Sequence, residues 1–313
     1  MTTDEAARTG RTAAGVGFVL LAAALWGMFG VVARVALRDG VPPLDIAFWR
    51  TLIATACFAV HVLVRRGIGS GHRVASPWLR AGDLPGIALF ALLGIAALYA
   101  CLPLAVEAGG ATLAAVLLYT APAWVAIFSA LLLAERFTPR KLAALALTLA
   151  GIAGIALAGE GAVRPTRAAV GWGLGAGLSY ASLYLFGKHY FARYSPAVVF
   201  LHALPVAAVA LFPFTSFARV SAPAAAALLM LGVACTYLAY LAYASGLARL
   251  EATRAATIAT AEPVIAAVLA FAFWGERLPF AAYAAALLVI GGVVLMAAAP
   301  AGPSPPVRTA QRR

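Results

Sequence analysis

The amino-acid sequence predicts an all-α integral membrane protein with ten transmembrane helices, arranged as two inverted five-helix repeats. Of its 313 residues, 64% are hydrophobic and only 11% are charged. So few charged residues cannot cover a soluble domain that has so much apolar surface. The apolar residues form ten runs of about 20 residues, which is the length that crosses a bilayer. One of these runs recurs 141 residues later in the chain. These three observations place the chain in a membrane.

Short connections separate the predicted spans, so the sequence predicts no extramembrane domain. Residues 1–14 are expected to form a disordered N-terminal tail, and the Pro-rich, basic residues 300–313 a disordered C-terminal tail. Residues 15–160 are expected to form the first repeat and residues 168–299 the second. The ten predicted spans are Gly15–Leu37, Leu44–Val64, Leu84–Val106, Thr112–Ala134, Leu142–Ala158, Val170–Tyr190, Pro196–Phe217, Ala224–Leu247, Thr253–Trp274 and Phe280–Ala299.

The repeat is clearest in the stretch LLYTAPAWVAIFSALLLAERFTPR, residues 117–140, which matches IATAEPVIAAVLAFAFWGERLPF without a gap. Pro122 corresponds to Pro263, and Glu135 to Glu276. Weaker matches, such as Tyr99 with Tyr237, extend the repeat over both halves. Because each half has five spans, an odd number, the second half enters the membrane from the opposite side. Paired proline-interrupted spans in inverted halves indicate a transporter with its binding site near the bilayer midplane.

The distribution of Lys and Arg predicts the orientation of the chain. Sixteen of the 23 lie on the side of the N-terminus, six lie on the other side, and Arg50 lies within a span. Positive residues concentrate in cytoplasmic loops, so both termini are expected in the cytoplasm and the protein in the cytoplasmic (inner) membrane. The net charge of +12 is therefore read as topology, and nucleic-acid binding is not expected.

Two charged residues within predicted spans are candidate functional groups. Glu262 precedes Pro263 near the centre of the ninth span. A carboxylate at that depth costs on the order of 3 kcal/mol, so we expect it to face a cavity or a partner. In a dry environment it would take up a proton readily, which suits proton coupling. The alternative is a protonated Glu that hydrogen-bonds a neighbouring helix. Arg50 is either a structural residue that reaches the interface or an ion-pair partner, or else a binding group for an anionic substrate.

Aromatic residues within the spans are candidates for the substrate pathway, because buried Tyr hydroxyl groups need polar partners. Tyr180 and Tyr184 share one helix face, and Tyr237 and Tyr240 share another. Tyr119 lies less than a helical turn from Pro122. The predicted pathway residues are Trp26, Tyr99, Tyr119, Pro122, Tyr180, Tyr184, Tyr237, Tyr240 and Pro263.

Metal and cofactor sites are not expected. The four His residues are far apart in the sequence, and the three Cys residues lie singly in apolar segments, so neither metal-ligand spacing nor a disulfide pattern is present. The glycines at Gly171–Gly175 loosely fit a dinucleotide motif, but no strand precedes them. Spaced four apart, they favour close helix packing instead.

The chain resembles the EamA-type transporters of the drug/metabolite transporter superfamily. The residues that carry this resemblance lie in order along both halves: Leu25–Gly27, Ala47–Arg50, Tyr119–Pro122, Leu133–Arg136, Glu262–Pro263 and Gly275–Arg277. The resemblance implies ten helices around a central cavity, alternating access, and commonly the export of amino acids or other small metabolites that uses the proton gradient. It does not fix the substrate. One departure is that Tyr180 and Ala181 stand where the first half has Trp26 and Gly27.

The sequence therefore predicts a secondary transporter whose partners are a small-molecule substrate, the lipid bilayer and protons as the candidate coupling ion, with its oligomeric state open. One alternative is an uncoupled facilitator or importer. Another is a membrane enzyme that modifies lipid, although the sequence lacks a polar catalytic cluster near one interface. A channel is a third, but rings of charges or polar filters are missing from the spans.

Overall fold

The computed structural model describes residues 3–67, 78–158, 165–277 and 279–299, and within these ranges it contains helices and no strands. The first half consists of α1 (Thr3–Arg38), α2 (Pro43–Gly67), α3 (Leu84–Phe90), α4 (Ala97–Gly109), α5 (Ala111–Leu118), α6 (Ala121–Leu132) and α7 (Pro139–Ala158). The second half consists of α8 (Arg167–Tyr190), α9 (Pro196–Leu211), α10 (Ala222–Gly232), α11 (Ala239–Leu247), α12 (Ala252–Ala259), α13 (Glu262–Trp274) and α14 (Phe280–Ala297).

Several of these helices join end to end into longer spans. A π-helical segment, Ala91–Ala96, connects α3 to α4, and a second one, Val233–Leu238, connects α10 to α11. Short turns separate α5 from α6 and α12 from α13, where Pro122 and Pro263 stand in the first turn of the second helix. Proline lacks a backbone N–H and cannot continue a helix without a break. Each half therefore carries one broken span.

Nine helical spans of the described residues are long and apolar enough to cross a membrane. The sequence predicts ten, and the remaining helix is α8. It is 24 residues long, but it is rich in Gly, Ser and Tyr, which lowers its hydropathy. Much of α8 is buried among α4, α5 and α6. A helix enclosed by protein needs less apolar side-chain surface than one that faces lipid.

The N-terminal prediction needs a correction. Helix α1 begins at Thr3, so residues 3–14 are helical, whereas the sequence analysis assigned them to a disordered tail. The segment contains several alanines, which have the highest helix propensity, and it continues an apolar helix that is already formed. The predicted C-terminal tail, residues 300–313, and most of the connection between Arg65 and Asp83 lie outside the described residues.

Helices α7 and α14 cross at two glycines that the sequence analysis matched as repeat partners. A methyl group on Gly151 would lie 2.7 Å from the carbonyl oxygen of Ala285, and one on Gly292 would lie 2.7 Å from the carbonyl oxygen of Ala144. The two contacts are reciprocal, since Ala144 and Ala285 are also 141 residues apart. Small residues allow this close approach of two membrane helices.

We expect Gly292→Ala to destabilise the protein by about 1–3 kcal/mol, because the added methyl group overpacks the crossing. Gly291→Ala is the matched control, since a methyl group at that position meets open space. Thermal unfolding of the purified protein in detergent would measure both variants. Equal unfolding temperatures for the two variants would contradict this account of the crossing.

Candidate functional site

A cavity of about 710 Å³ opens at the end of the bundle where α1 finishes and reaches the middle of the spans. Leu37, Pro42, Glu107 and Phe214 line its mouth, and we call this side the open end. The residues at its base come from six different helices or helical segments of both halves. They are Trp26, Arg50, Tyr99, Tyr180, Tyr240 and Glu262.

Glu262 is positioned by the break in the ninth span. Helix α12 ends at Ala259, and α13 begins at Glu262 with Pro263 in its first turn. The carboxylate therefore sits at a helix N-terminus in the middle of the membrane, a common position for binding sites in transporters with discontinuous helices. Gly27 lets this break approach α1, because its Cα has only the carbonyl oxygen of Glu262 and the backbone of Ala266 as close neighbours.

Tyrosine hydroxyl groups surround the Glu262 carboxylate. Tyr180 donates a hydrogen bond to Glu262 Oε2 at 3.2 Å, and Tyr119 lies close enough to interact with the same carboxylate. Arg50 also interacts with Glu262 electrostatically, although the two do not form an ion pair. The acid thus has polar neighbours and access to the cavity, which are the conditions under which a carboxyl group in a membrane can both hold and release a proton.

Arg50 lies across the cavity on α2 and is 8% exposed. Its Nε donates to the hydroxyl oxygen of Thr236 at 2.9 Å, and its Nη2 donates to the hydroxyl oxygen of Tyr99 at 2.8 Å. The guanidinium also stacks over the rings of Phe29 and Tyr99, at 4.6 Å and 4.3 Å from their centres. These contacts fix the orientation of the cation.

Aromatic rings form one wall of the cavity. Trp26 packs edge-on against Tyr180 and Tyr240, with ring centres 6.0 Å and 6.2 Å apart. Tyr240 stacks on Phe200 and shares a hydrogen bond of 2.9 Å with Tyr99. Tyr99 and Tyr240 are 141 residues apart, so the two halves meet at this pair. The sequence analysis aligned Tyr99 with Tyr237 instead.

Polar contacts between the two halves close the opposite side of the bundle, which we call the closed end. The carboxylate of Glu135 accepts hydrogen bonds from the backbone N–H groups of Ala252 and Thr253, at 2.6 Å and 3.2 Å, and so caps the N-terminus of α12. Lys141 forms an ion pair with Glu251 at 2.5 Å. Lys188 donates to the carbonyl oxygen of Leu250. These contacts tie α6, α7 and α8 to the connection before α12.

The counterpart of Glu135 lies at the open end and makes different contacts. Glu276 forms an ion pair with Arg34 there, and both side chains are well exposed. Arg34 and Arg38 lie over the ring of Trp274. The N-terminus of α5, which follows Gly110, has no side-chain cap. One end is therefore joined by a helix cap and a buried lysine, and the other by an exposed ion pair.

Five predicted pathway residues lie outside the cavity. Tyr119, Pro122 and Tyr184 surround a small enclosed space behind Tyr180. Pro263 shapes the break at Glu262 without lining the cavity. Tyr237 points away from the cavity and packs against Phe58, with its hydroxyl group 2.7 Å from His61 Nδ1. The structure thus brings together Trp26, Arg50, Tyr99, Tyr180, Tyr240 and Glu262, and places the other five behind or beside them.

Sequence reasoning missed Thr236, Glu107 and Asp45. Thr236 holds Arg50 and itself donates to the carbonyl oxygen of Leu231 at 2.9 Å. Glu107 lies at the mouth. Asp45 is 1% exposed and accepts hydrogen bonds from the backbone of Ser216 and Ala218. A carboxylate or hydroxyl group within or beside an apolar span was the available signal. In the described part of the chain, no group of three His, Cys, Asp or Glu residues could hold a metal ion.

Similar proteins are transporters. A transporter of Archaeoglobus fulgidus without an assigned substrate is 26% identical over 88% of this chain and 94% of its own length. A protein of Streptantibioticus cattleyicolor, named a probable terminal-alkyne amino-acid exporter, is 32% identical over 69% of this chain and 74% of its own. One solved crystal structure has a TM-score of 0.77 with 19% identity, covering 90% of this chain and 96% of the other, which shows a shared fold.

The family assignment rests on both halves of the chain. The model of the EamA-like transporter family matches residues 13–157 and again residues 167–298. The matches cover nearly all of the helical residues, and the relatives carry the names of transporters rather than enzymes. The predicted resemblance is confirmed, and the alternative of a lipid-modifying enzyme is not supported. The chain belongs to the EamA-like transporter family and is a multi-pass membrane transporter.

Proposed function

We propose that this protein is a secondary active transporter that exports amino acids or other small metabolites across the cytoplasmic membrane by alternating access, with protons as the coupling ion. The observation that carries the proposal is the cavity that opens at one end and finishes at Glu262, beside the break of a discontinuous span. A channel would need a continuous path. Here the described residues connect the two halves at the closed end through Glu135, Lys141 and Lys188.

The proposal includes ten spans in two inverted repeats. Helix α8 serves as the first span of the second half, enclosed by its neighbours. Equivalent helices support the repeat, since α5 and α12 begin 141 residues apart, as do α6 and α13, and α7 and α14. Five spans per half would place the second half upside down relative to the first.

Inverted repeats provide a simple route to alternating access, because each half can adopt the conformation of the other. In the structure, Glu135 caps α12 and Glu276 pairs with Arg34. We propose that the opposite state exchanges these roles. Glu276 would leave Arg34 and accept hydrogen bonds from the backbone N–H groups of Ala111 and Thr112, at the start of α5. Glu135 would release α12.

The positive residues give the direction of each end. With both termini in the cytoplasm, the closed end faces the cytoplasm and the cavity opens to the outside. This is the state in which an exporter releases its substrate and in which Glu262 is reached by protons from outside. The alternative is an uncoupled facilitator or importer, in which Glu262 has no coupling role.

The substrate class follows from the size and lining of the cavity, in which apolar and aromatic side chains surround a few polar groups. A volume of about 710 Å³ lies within the usual range for small-molecule sites. The name of the Streptantibioticus relative supports amino acids as the first class to examine.

A comparison of growth media from cells with and without the overexpressed protein tests the proposal. We expect one amino acid or related metabolite to accumulate outside only the cells that contain the intact protein. Cells that express Glu262→Gln at the same level serve as the control and should lose the accumulation. Faster entry of an added compound, with nothing accumulating outside, would show that the direction of transport is wrong.

A further inference from the structure

Arg50 carries a buried charge that no acid neutralises within the described residues. The ion pairs found there join Arg34 to Glu276, Lys141 to Glu251 and Arg193 to Asp83. The nearest acid along α2 is Asp45, whose two carboxylate oxygens already accept hydrogen bonds from the Ser216 and Ala218 backbone. A cation in the middle of a membrane protein is costly and usually has an anionic or strongly polar partner.

The contacts of Arg50 position the guanidinium without satisfying its charge. Thr236 and Tyr99 are neutral hydrogen-bond acceptors, and Phe29 and Tyr99 supply only the faces of their rings. Nε and Nη2 are bonded, while Nη1 makes no hydrogen bond to the described residues. Because Arg50 lines the cavity, part of its planar donor group remains available to a ligand. Such a fork suits a carboxylate, which it can bind through two parallel hydrogen bonds.

We propose that Arg50 binds the carboxylate group of the transported molecule, so that the cavity selects small carboxylates with an apolar body. This inference rests on the transport function proposed above and specifies its substrate class. The apolar body would lie against Trp26 and the rings of Tyr180 and Tyr240. The cavity also contains Glu262, so a substrate with both a carboxylate and an ammonium group would find an oppositely charged partner for each.

A structural role for Arg50 makes a different prediction. If the guanidinium only tied α2 to Tyr99 and Thr236, its loss would weaken the binding of every ligand to a similar degree. If it binds the carboxylate, its loss affects only ligands that carry one. Three probes of nearly equal size separate these cases. L-phenylalanine has both charged groups, L-phenylalaninamide lacks the carboxylate, and 3-phenylpropionate lacks the ammonium group.

Equilibrium binding of the three probes to the purified full-length protein tests the proposal, with calorimetry as the readout. We expect the wild type to bind L-phenylalanine and 3-phenylpropionate, and the amide about tenfold or more weakly, as for the loss of a charge-assisted hydrogen bond. Arg50→Gln should lower the affinity for the two carboxylates by a similar factor and leave the amide unchanged. Arg50→Lys keeps the charge but not the fork, and should have an intermediate effect. Arg193→Gln, which changes an exposed arginine at the closed end, is the control and should match the wild type.

Several results would overturn the inference. Equal wild-type affinities for L-phenylalanine and its amide would show that the carboxylate is not recognised, and this result does not require any variant to fold. A uniform loss for all three probes in Arg50→Gln would assign Arg50 a structural role. No binding of either carboxylate probe by the wild type would exclude this substrate class. In each case the media comparison judges the transport function independently.

Discussion

Transport driven by a pH gradient is expected to disappear in Glu262→Gln, while exchange of substrate across the membrane without a gradient continues. Glu262 is the acid at the base of the cavity, and Tyr180 donates to it at 3.2 Å. A glutamine can accept the same hydrogen bond but cannot take up or release a proton. The coupled step would then be lost, and the carrier would still bind substrate and change conformation.

The proposed coupling also has a physical cause. With Glu262 ionised, the cavity offers one cation and one anion, which match the two charges of an amino acid. Protonation of Glu262 from the outside would remove the partner of the ammonium group and weaken binding in the state that releases substrate. A proton entering the site would therefore favour export.

Proteoliposomes with an imposed pH gradient would measure this effect. We expect driven flux through Glu262→Gln to fall by at least about tenfold, the effect of one charge-dependent contact, and counterflow to remain near the wild-type rate. Asp39→Asn is a suitable control, because Asp39 lies at the open end and accepts from the Ser221 backbone. Unchanged driven flux in Glu262→Gln would remove Glu262 from the coupling role.

The second large effect is expected at the closed end. Glu135→Ala removes both hydrogen bonds that cap α12, and hydrogen bonds that involve a charged group contribute about 1.5–3 kcal/mol each. The state seen in the structure should lose stability, and the population should move by tenfold or more towards the state that opens at this end. Glu135→Gln keeps one acceptor oxygen and should have a smaller effect.

Glu276→Ala provides the matched comparison and should act in the opposite direction. The exposed ion pair with Arg34 stabilises the present state little, since such pairs contribute only about 0–1 kcal/mol. If Glu276 caps α5 in the other state, its loss destabilises that state and favours the structure described above. Equal shifts in the same direction for both variants would contradict the exchange of roles.

Much of the site could be predicted because single residues stood out against an apolar background. Glu262 and Arg50 were visible as charges inside spans, and both line the cavity. Trp26, Tyr180 and Tyr240 were visible as aromatic residues at mid-span positions. The family was recognisable from short motifs in a fixed order, and the family match confirms it.

Other features depend on geometry that no local pattern contains. The π-helical segments Ala91–Ala96 and Val233–Leu238 alter the rotation of the helices that follow them. A straight helix would present Tyr237 and Tyr240 together, but only Tyr240 reaches Tyr99. Likewise, Glu135 looked like an interfacial residue, whereas it caps a helix 117 residues further along the chain. A contact of that kind exists only once both halves are folded.

A distance measurement across the closed end tests alternating access most directly. Arg136 and Ala248 are exposed on the two sides of the Glu135 contact and can be changed to cysteine for spin labels, after the native Cys57, Cys101 and Cys235 are replaced by alanine. The account predicts two distances in the wild type, with the longer one enriched in Glu135→Ala and depleted in Glu276→Ala. A single distance that neither variant nor substrate changes would contradict it, because the closed end would then never open.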